Sequence, residues 1–156
     1  MSTDGSGTGR RLGLLRVAFD QAGSAVLAAV APAHPALRPA HLSIFRFDGI
    51  DGATTAQLAA HAGMTKQSMH ELVGHLERHG YLRREPDPAD ARGRRLRLTP
   101  AGRALEHAVH AAIADVLADW LRRLGQDRFD TLWSILREVT GDTRPLPDLA
   151  ALRRRR

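Results

Sequence analysis

The chain has 156 residues, 43% of them apolar and 4% aromatic, which allows one domain with extensions and a mostly aliphatic core. It has no cysteine, which excludes disulfides, thiolate metal sites and thiol redox chemistry. Its net charge of +6 suits a polyanionic partner.

No unbroken apolar run reaches the roughly 18 residues of a membrane span. The opening M-S-T-D-G-S-G-T-G-R-R lacks the apolar core of a signal peptide. No membrane contact and a cytoplasmic location are therefore expected. Residues 1–10 are rich in Gly, Ser and Thr and are expected to be disordered. From Leu12 to about Val30 the spacing predicts a long helix, with Leu15, Phe19, Ala22, Val26 and Val30 on one face. Pro32, Pro35 and Pro39 break it, and a second helix is predicted from Pro39 to Phe47. The pairs Asp48-Gly49 and Asp51-Gly52 then turn the chain.

Thr54 or Thr55 can cap a third helix that buries Leu58 and ends at Gly63. Thr65 caps a fourth, running to about His79 with Gly80 as its stop. Its apolar stripe is Met69, Leu72, Val73 and Leu76. Gln67, His70, Glu71 and Gly74 face outward, with Lys66 and Ser68 at the borders. Tyr81 to Glu85 reads as a strand. On a returning strand Leu96 and Leu98 point one way, Arg95 and Arg97 the other. The P-D-P-A-D-A-R-G between them is predicted to be the loop tip.

Thr99 and Pro100 start a fifth helix that runs to about Leu124 and is apolar at helical spacing throughout. After Gly125, a sixth carries Phe129, Leu132, Trp133, Leu136 and Val139. The predicted fold class is mainly α with a small β-hairpin wing: a winged helix-turn-helix flanked by N- and C-terminal dimerisation helices. The expected divisions are a disordered tail (1–10), a dimerisation helix and linker (11–38), the DNA-binding domain (39–99), C-terminal dimerisation helices (100–141) and a basic tail (142–156). The outer helices carry more apolar surface than the central domain can cover. A two-fold homodimer is expected, with its reading helices about one DNA turn apart.

A helix-turn-helix followed by a basic ribbon is a device for gripping double-stranded DNA. Thr65, Lys66, Gln67, Ser68 and His70 open the reading helix, where free N–H groups and the helix dipole suit phosphate. Gln67 suits adenine, Lys66 guanine or phosphate, and Ser68 and His70 either. The bland alternative is an ordinary capped, solvated helix. Seven arginines fall between Arg78 and Leu98. Of these, Arg83, Arg84, Arg92, Arg94, Arg95 and Arg97 form the wing set, whose guanidinium forks match phosphate and fit narrow minor grooves. Arg97 alternates with leucines and has a structural alternative. A solvated edge, with Asp87 and Asp90 as surface partners, is the alternative for the set.

The eight histidines include His107 and His110 at i and i+3, yet no compact ligand spacing marks a metal site. No metal and no cofactor are expected. Ser43 and Ser134 lack nucleophile-elbow glycines, and no acid/base pair stands out, so the chain does not read as an enzyme. The runner-up is a sequence-tolerant architectural protein that coats DNA, with Arg153 to Arg156 as a tether.

Three stretches carry a resemblance. They are L-R-P-A-H-L-S-I-F-R-F, then Q-L-A-A-H-A-G-M-T-K-Q-S-M-H-E-L-V-G-H-L-E-R-H-G-Y-L-R-R, and D-P-A-D-A-R-G-R-R-L-R-L-T-P-A-G. Over roughly residues 12–140 the chain resembles the MarR family of winged-helix regulators. The wing element, Asp90, Ala91 and Arg92 followed by Leu96, Leu98, Thr99 and Gly102, is its most specific part. The resemblance implies a homodimer on a palindromic operator, repressing its own or neighbouring genes until a small molecule relieves it. It places Arg92 in the minor groove and makes Asp90 the brace of the wing. Ala91 and Gly93 stand where the family often has charged or polar residues, which leaves fewer wing-tip contacts. It also implies a pocket where the first, second and fifth helices meet the winged helix. There His41, Ser43 and Arg46 are placed to orient an anionic or phenolic effector.

Overall fold

The computed structural model describes residues 6–46 and 49–146, with side chains from residue 9 onward except those of residues 91 and 92. Residues 1–5 of the expected tail, Phe47 and Asp48 at the second helix's end, and the tail arginines from Arg153 onward lie outside the described residues.

Helix α1 (Ser6–Val30) starts inside the stretch expected to be disordered. It lies along α5 (Pro100–Leu124) and buries Val26 and Val30. Its N-terminal half is uncovered: Leu12, Leu14, Leu15, Val17 and Phe19 are all at least half exposed. Gly9–Val30 is long and apolar enough to cross a membrane, with a mean hydropathy of 1.3 over its most apolar window. Arg16 and Asp20 interrupt the stretch, so it holds no unbroken apolar run of spanning length. Those two charges pair with each other at 2.8 Å.

A 3-10 turn (Pro39–His41) leads into a short α2 (Leu42–Phe45). Together they replace the predicted Pro39–Phe47 helix. Ile44 and Phe45 are fully buried, as is Ile50 beyond them. Thr54 caps α3 (Thr55–Ala62) through a reciprocal box: its Oγ1 accepts the Gln57 N–H, and Gln57 Oε1 accepts the Thr54 N–H. The chain turns at Gly63 (φ 62) into α4 (Lys66–Arg78). Met69, Val73 and Leu76 of α4 are fully buried, and Leu72 is half-buried.

Strands β1 (Leu82–Asp87) and β2 (Asp90–Leu98) form one antiparallel hairpin. The tip is tighter than the predicted eight-residue loop, because the strands run to Asp87 and from Asp90. The register passes from Pro86↔Arg94 to Asp87↔Asp90. Ala91, Arg92 and Gly93 are therefore extra residues, a bulge on β2. Leu96 and Leu98 face the core, as their alternation predicted.

Two backbone features seat this hairpin. Gly52 donates its N–H to the Leu96 carbonyl, and Leu96 donates to the Ala53 carbonyl, both at 2.8 Å. This short pairing holds the segment before α3 against β2. At the other end, the Tyr81 carbonyl accepts the Thr99 N–H at 3.1 Å and the Thr99 hydroxyl at 3.2 Å. Thr99 also caps α5 by accepting the Gly102 N–H at 3.0 Å. A Cβ on residue 102 would stand 1.9 Å from the Tyr81 oxygen, so only glycine lets α5 start here. Beyond α5, α6 (Gln126–Thr140) folds back, with Phe129 buried and edge-on to Trp133, and Trp133 stacked near Trp120. Ile135 and Val139 of α6 are exposed.

A column of imidazoles joins the linker to α4. His41, with 1% of its surface exposed, stacks on His75 at 4.6 Å, and His75 stacks on His79 at 4.2 Å. The His75 Nε2–H donates to the Ala36 carbonyl at 2.9 Å. His41 accepts the Arg38 N–H on Nδ1 at 2.9 Å, a role that suits the neutral ring. Burial, reinforced by the neighbouring His75, Arg38 and His79, pushes the His41 pKa down to about 4.

Two outcomes follow from this packing. Gly102→Ala forces the backbone at Tyr81 to move, a strain of about 1–3 kcal/mol, and lowers the thermal midpoint by several degrees. An unchanged midpoint would remove this close approach from the account of α5. For His41, the unfolded chain takes up a proton near pH 6.5, whereas the folded chain resists until about pH 4. The stability that His41 contributes is complete above about pH 6.5 and is lost as the pH falls to about 4, in total about 3 kcal/mol. Urea unfolding across that window should show a smaller loss in His41→Gln, which cannot titrate, than in the wild type. Equal slopes in the two proteins would contradict it.

Candidate nucleic-acid interface

Thr65 caps α4 with an extended backbone. Its Oγ1 accepts the Ser68 N–H at 3.1 Å and donates to the Ser68 hydroxyl at 2.9 Å. Thr65 and Ser68 are thus engaged with each other, and Ser68 is half-buried. Lys66, Gln67 and His70 stand exposed on the first turns. The first turn of α4 holds no acidic residue, so nothing there offsets the positive end of the helix dipole. Lys66 and Gln67 make no side-chain hydrogen bond among the described residues.

The wing arginines divide into distinct groups. Arg83 and Arg97 are opposite each other in the register and share one carboxylate: each lies on Glu85, at 2.8 and 3.0 Å. Arg97 is thus paired within the hairpin, on the same carboxylate as Arg83. Arg84 is half-buried and folded back along α4, 3.2 Å from Glu77 and 3.5 Å from His70 Nε2. Arg94 is exposed and reaches only the neighbouring Gly93 carbonyl. Arg95 is turned inward: its Nε lies 2.8 Å from Asp87, and a terminal nitrogen donates to the Gly52 carbonyl at 2.9 Å. The expected outward set therefore loses Arg84 and Arg95 to contacts within the chain. The Arg92 backbone lies in the β2 bulge, while its side chain lies outside the described ones. An exposed ion pair is worth at most about 1 kcal/mol, so an arriving phosphate can draw Arg83 away from Glu85.

Two acidic residues were missed as organisers. Asp87 is buried and accepts the Ala89 N–H at 2.9 Å, an Asx turn that the P-D-P stretch signals. The adjacent Arg95 guanidinium and the Ala89 N–H hold its carboxyl below the usual range. Asp51 accepts the Leu98 N–H at 2.7 Å and the Arg103 guanidinium at 2.8 Å, tying the hairpin root to α5. Its D-G context read only as a turn. Asp90, the expected brace, is exposed, and the buried contacts at the tip belong to Asp87.

A second feature lies on the far side of the core. A cavity of about 600 Å³ opens between α1, the 3-10 turn, α2 and α5, at the place expected for an effector. Its walls include Phe19, Val26, Leu42, Val109 and Ile113, with Arg16, Asp20 and Arg46 as polar groups. Arg46 lies over the Phe19 ring at 4.7 Å and donates to the Leu42 carbonyl at 3.1 Å. Partial burial lowers its pKa, but an arginine stays charged. The other two expected pocket residues do not line it. His41 is sealed in the imidazole column. The Ser43 hydroxyl donates to the Ala40 carbonyl at 2.7 Å and faces Met64. The His107 and His110 pair does not converge either, since the His110 Nε2–H donates to the Phe45 carbonyl. No group of three or more metal-ligating side chains gathers among the described residues.

Comparison with known proteins places this geometry. Residues 37–93 match the model of the MarR family. Among solved structures, the chain is similar to the transcriptional repressor CouR bound to a 23-mer DNA duplex. The TM-score is 0.72 at 26% identity, over 90% of this chain and 99% of that one. It shares its fold with a MarR variant from E. coli complexed with operator DNA, with a TM-score of 0.68 at 20% identity, over 81% of this chain and 90% of that one. It shares it also with another MarR family transcription regulator, with a TM-score of 0.72 at 22% identity, over 86% and 89%. No curated protein matches the chain in sequence. This family and fold are those of transcriptional regulators, not of enzymes. The helix-turn-helix and most of the wing thus match the MarR family model, and the chain, flanking helices included, is similar in fold to CouR.

Proposed function

We infer that this chain works as a homodimeric, sequence-specific DNA-binding regulator that represses its own or neighbouring genes and is released by a small molecule. The observation that carries this reading is the exposed, uncompensated N-terminus of α4, with Lys66, Gln67 and His70 on it, beside a hairpin carrying exposed Arg83 and Arg94. Gln67 reads a base edge, and Lys66 and the wing arginines hold phosphates. Arg92, on the bulge, enters the minor groove. CouR, to which the chain is similar, is bound to a 23-mer DNA duplex, which supports DNA as the partner. The uncovered apolar residues of α1 and α6 favour a two-fold partner, which sets the spacing of the two reading helices. A regulator of this kind works in the cytoplasm, with the chromosome.

The test is binding to the DNA upstream of the chain's own gene against excess random duplex. A specific regulator gives a competitor-resistant complex about 10³-fold or more tighter than its non-specific binding. Its affinity falls about 10³- to 10⁵-fold between 50 and 200 mM salt. Gln67→Ala relaxes the sequence preference, while Arg92→Ala weakens binding to every duplex. Complete competition by random duplex, followed by a genome-wide selection that recovers no preferred site, would favour the architectural alternative.

The effector is an aromatic or otherwise apolar anion or phenol. The apolar walls of the cavity supply its burial and Arg46 its charge partner. Calorimetry with a panel of aromatic carboxylates and phenols should find a ligand that lowers DNA affinity. Arg46→Gln should weaken a carboxylate roughly tenfold or more and a phenol less. Equal losses for both would place the ligand away from Arg46.

A further inference from the structure

Asp87 and His41 are the buried polar side chains among the described residues, and Asp87 lies at the far end of a projecting hairpin, where water is otherwise close at hand. A carboxylate is buried at such a place only when its partners hold it there. Its Oδ1 accepts the Ala89 N–H at 2.9 Å and closes the turn. The same oxygen lies 2.8 Å from Arg95 Nε. Arg95 in turn donates to the Gly52 carbonyl at 2.9 Å, in the segment that pairs with β2 at Leu96. The tip of the wing is thus tied through one guanidinium to the body of the domain. Glu85, the register partner of Arg95, is occupied by Arg83 and Arg97.

The bulge folds onto this clamp. A Cβ on residue 93 would stand 3.0 Å from the Asp87 Cβ and 3.2 Å from both the Cβ and the carbonyl oxygen of Asp90. Gly93 is therefore where the bulge rests against Asp87, and a larger side chain would push the two apart. We propose that Asp87, gripped by Arg95, is the positioning residue of the wing: it fixes the Ala91–Gly93 bulge and thereby sets where Arg92 leaves the strand. This rests on the reading of Arg92 as a DNA contact. It adds Asp87 as a support of the wing and makes Arg95 a structural cation rather than a phosphate ligand.

Charge alone predicts the opposite effect of removing Asp87. Deleting a carboxylate beside a polyanion strengthens binding; deleting a positioning residue weakens it. The test compares the full-length wild type with Asp87→Asn, Arg92→Ala and the double variant. It uses the duplex from upstream of the chain's own gene, at low salt, where even non-specific binding is strong. Asp87→Asn is expected to weaken binding roughly tenfold, and the double variant to bind no more weakly than Arg92→Ala, because Asp87 acts through residue 92. Amide hydrogen exchange gives an independent readout: residues 89–94 lose protection in Asp87→Asn while α4 keeps its own.

Equal or tighter binding by Asp87→Asn overturns the proposal. So does a double variant whose losses multiply, or unchanged exchange at residues 89–94. If Arg92→Ala alone costs nothing, the DNA role of Arg92 has failed, and the exchange measurement decides the clamp by itself. If Asp87→Asn does not fold, Arg95→Gln, which leaves the Ala89 turn intact and cuts the tie to Gly52, is read by exchange at residues 89–94 and by whether its loss multiplies with that of Arg92→Ala, because deleting a cation weakens DNA binding by charge as well.

Discussion

The carbonyl group of Tyr81 accepts both the N–H and the hydroxyl of Thr99, and it lies where any Cβ on residue 102 would collide with it. The end of α4, the root of the hairpin and the start of α5 therefore meet at one peptide group. Thr99 serves three purposes there: strand end, helix cap and bridge. Asp51 makes the same junction from the other side, holding Leu98 and Arg103 together. With both ends seated, the wing moves as part of the frame formed by α1 and α5. A hairpin of two short strands has little stability of its own in water. Its direction relative to α4 comes from these junctions, and the reading surface depends on that direction.

The arginines of the wing show why a count of charges is a poor guide to an interface. All of them look alike in sequence. In the folded chain Arg95 is half-buried against a buried carboxylate, Arg84 is laid along α4, and Arg83 and Arg97 share Glu85. These arrangements differ in what it costs to undo them. An exposed pair such as Arg83–Glu85 contributes at most about 1 kcal/mol and exchanges readily for a phosphate. Arg95 is held at two points, by Asp87 and by the Gly52 carbonyl, so it exchanges for a phosphate less readily than Arg83 does. The carboxylates of the wing also keep a strongly basic hairpin from repelling itself before a polyanion arrives.

Much of the fold was legible because its signals are local. Thr54, Thr65 and Thr99 are caps that announce helix starts, and the stripe of Met69, Val73 and Leu76 has helical period. The alternation of Leu96 and Leu98 with arginines marked β2 and its buried face. What stayed hidden depends on contacts between distant positions. The pairing of Gly52 and Ala53 with Leu96 spans some forty residues and has no periodicity to reveal it. The prolines beside Asp87 signal a turn but not its burial, and the bulge that follows Asp90 comes from the register alone. His41 looked like a pocket residue because it is polar among apolar neighbours. The structure satisfies that polarity with the Arg38 N–H and with imidazoles from α4. Arg46, one turn further on, had the same ambiguity and resolves the other way, into the cavity.

That difference bears on how a ligand in the cavity would reach α4. The cavity wall includes Pro39, Ala40 and Leu42, the residues on either side of His41. The His41 ring is packed on His75, and His75 is bonded to the Ala36 carbonyl of the same linker. Close-packed groups of this kind do not deform gradually, so a displacement of the 3-10 turn carries α4 with it or is resisted outright. A guest that fits the cavity equally well in both arrangements shifts nothing, however tightly it binds. On the proposed function, a ligand would release DNA only if its size or charge were accommodated after the turn had moved. The charge of Arg46, held over Phe19 of α1 and anchored on the Leu42 carbonyl, lies at the seam where α1 and α2 would part.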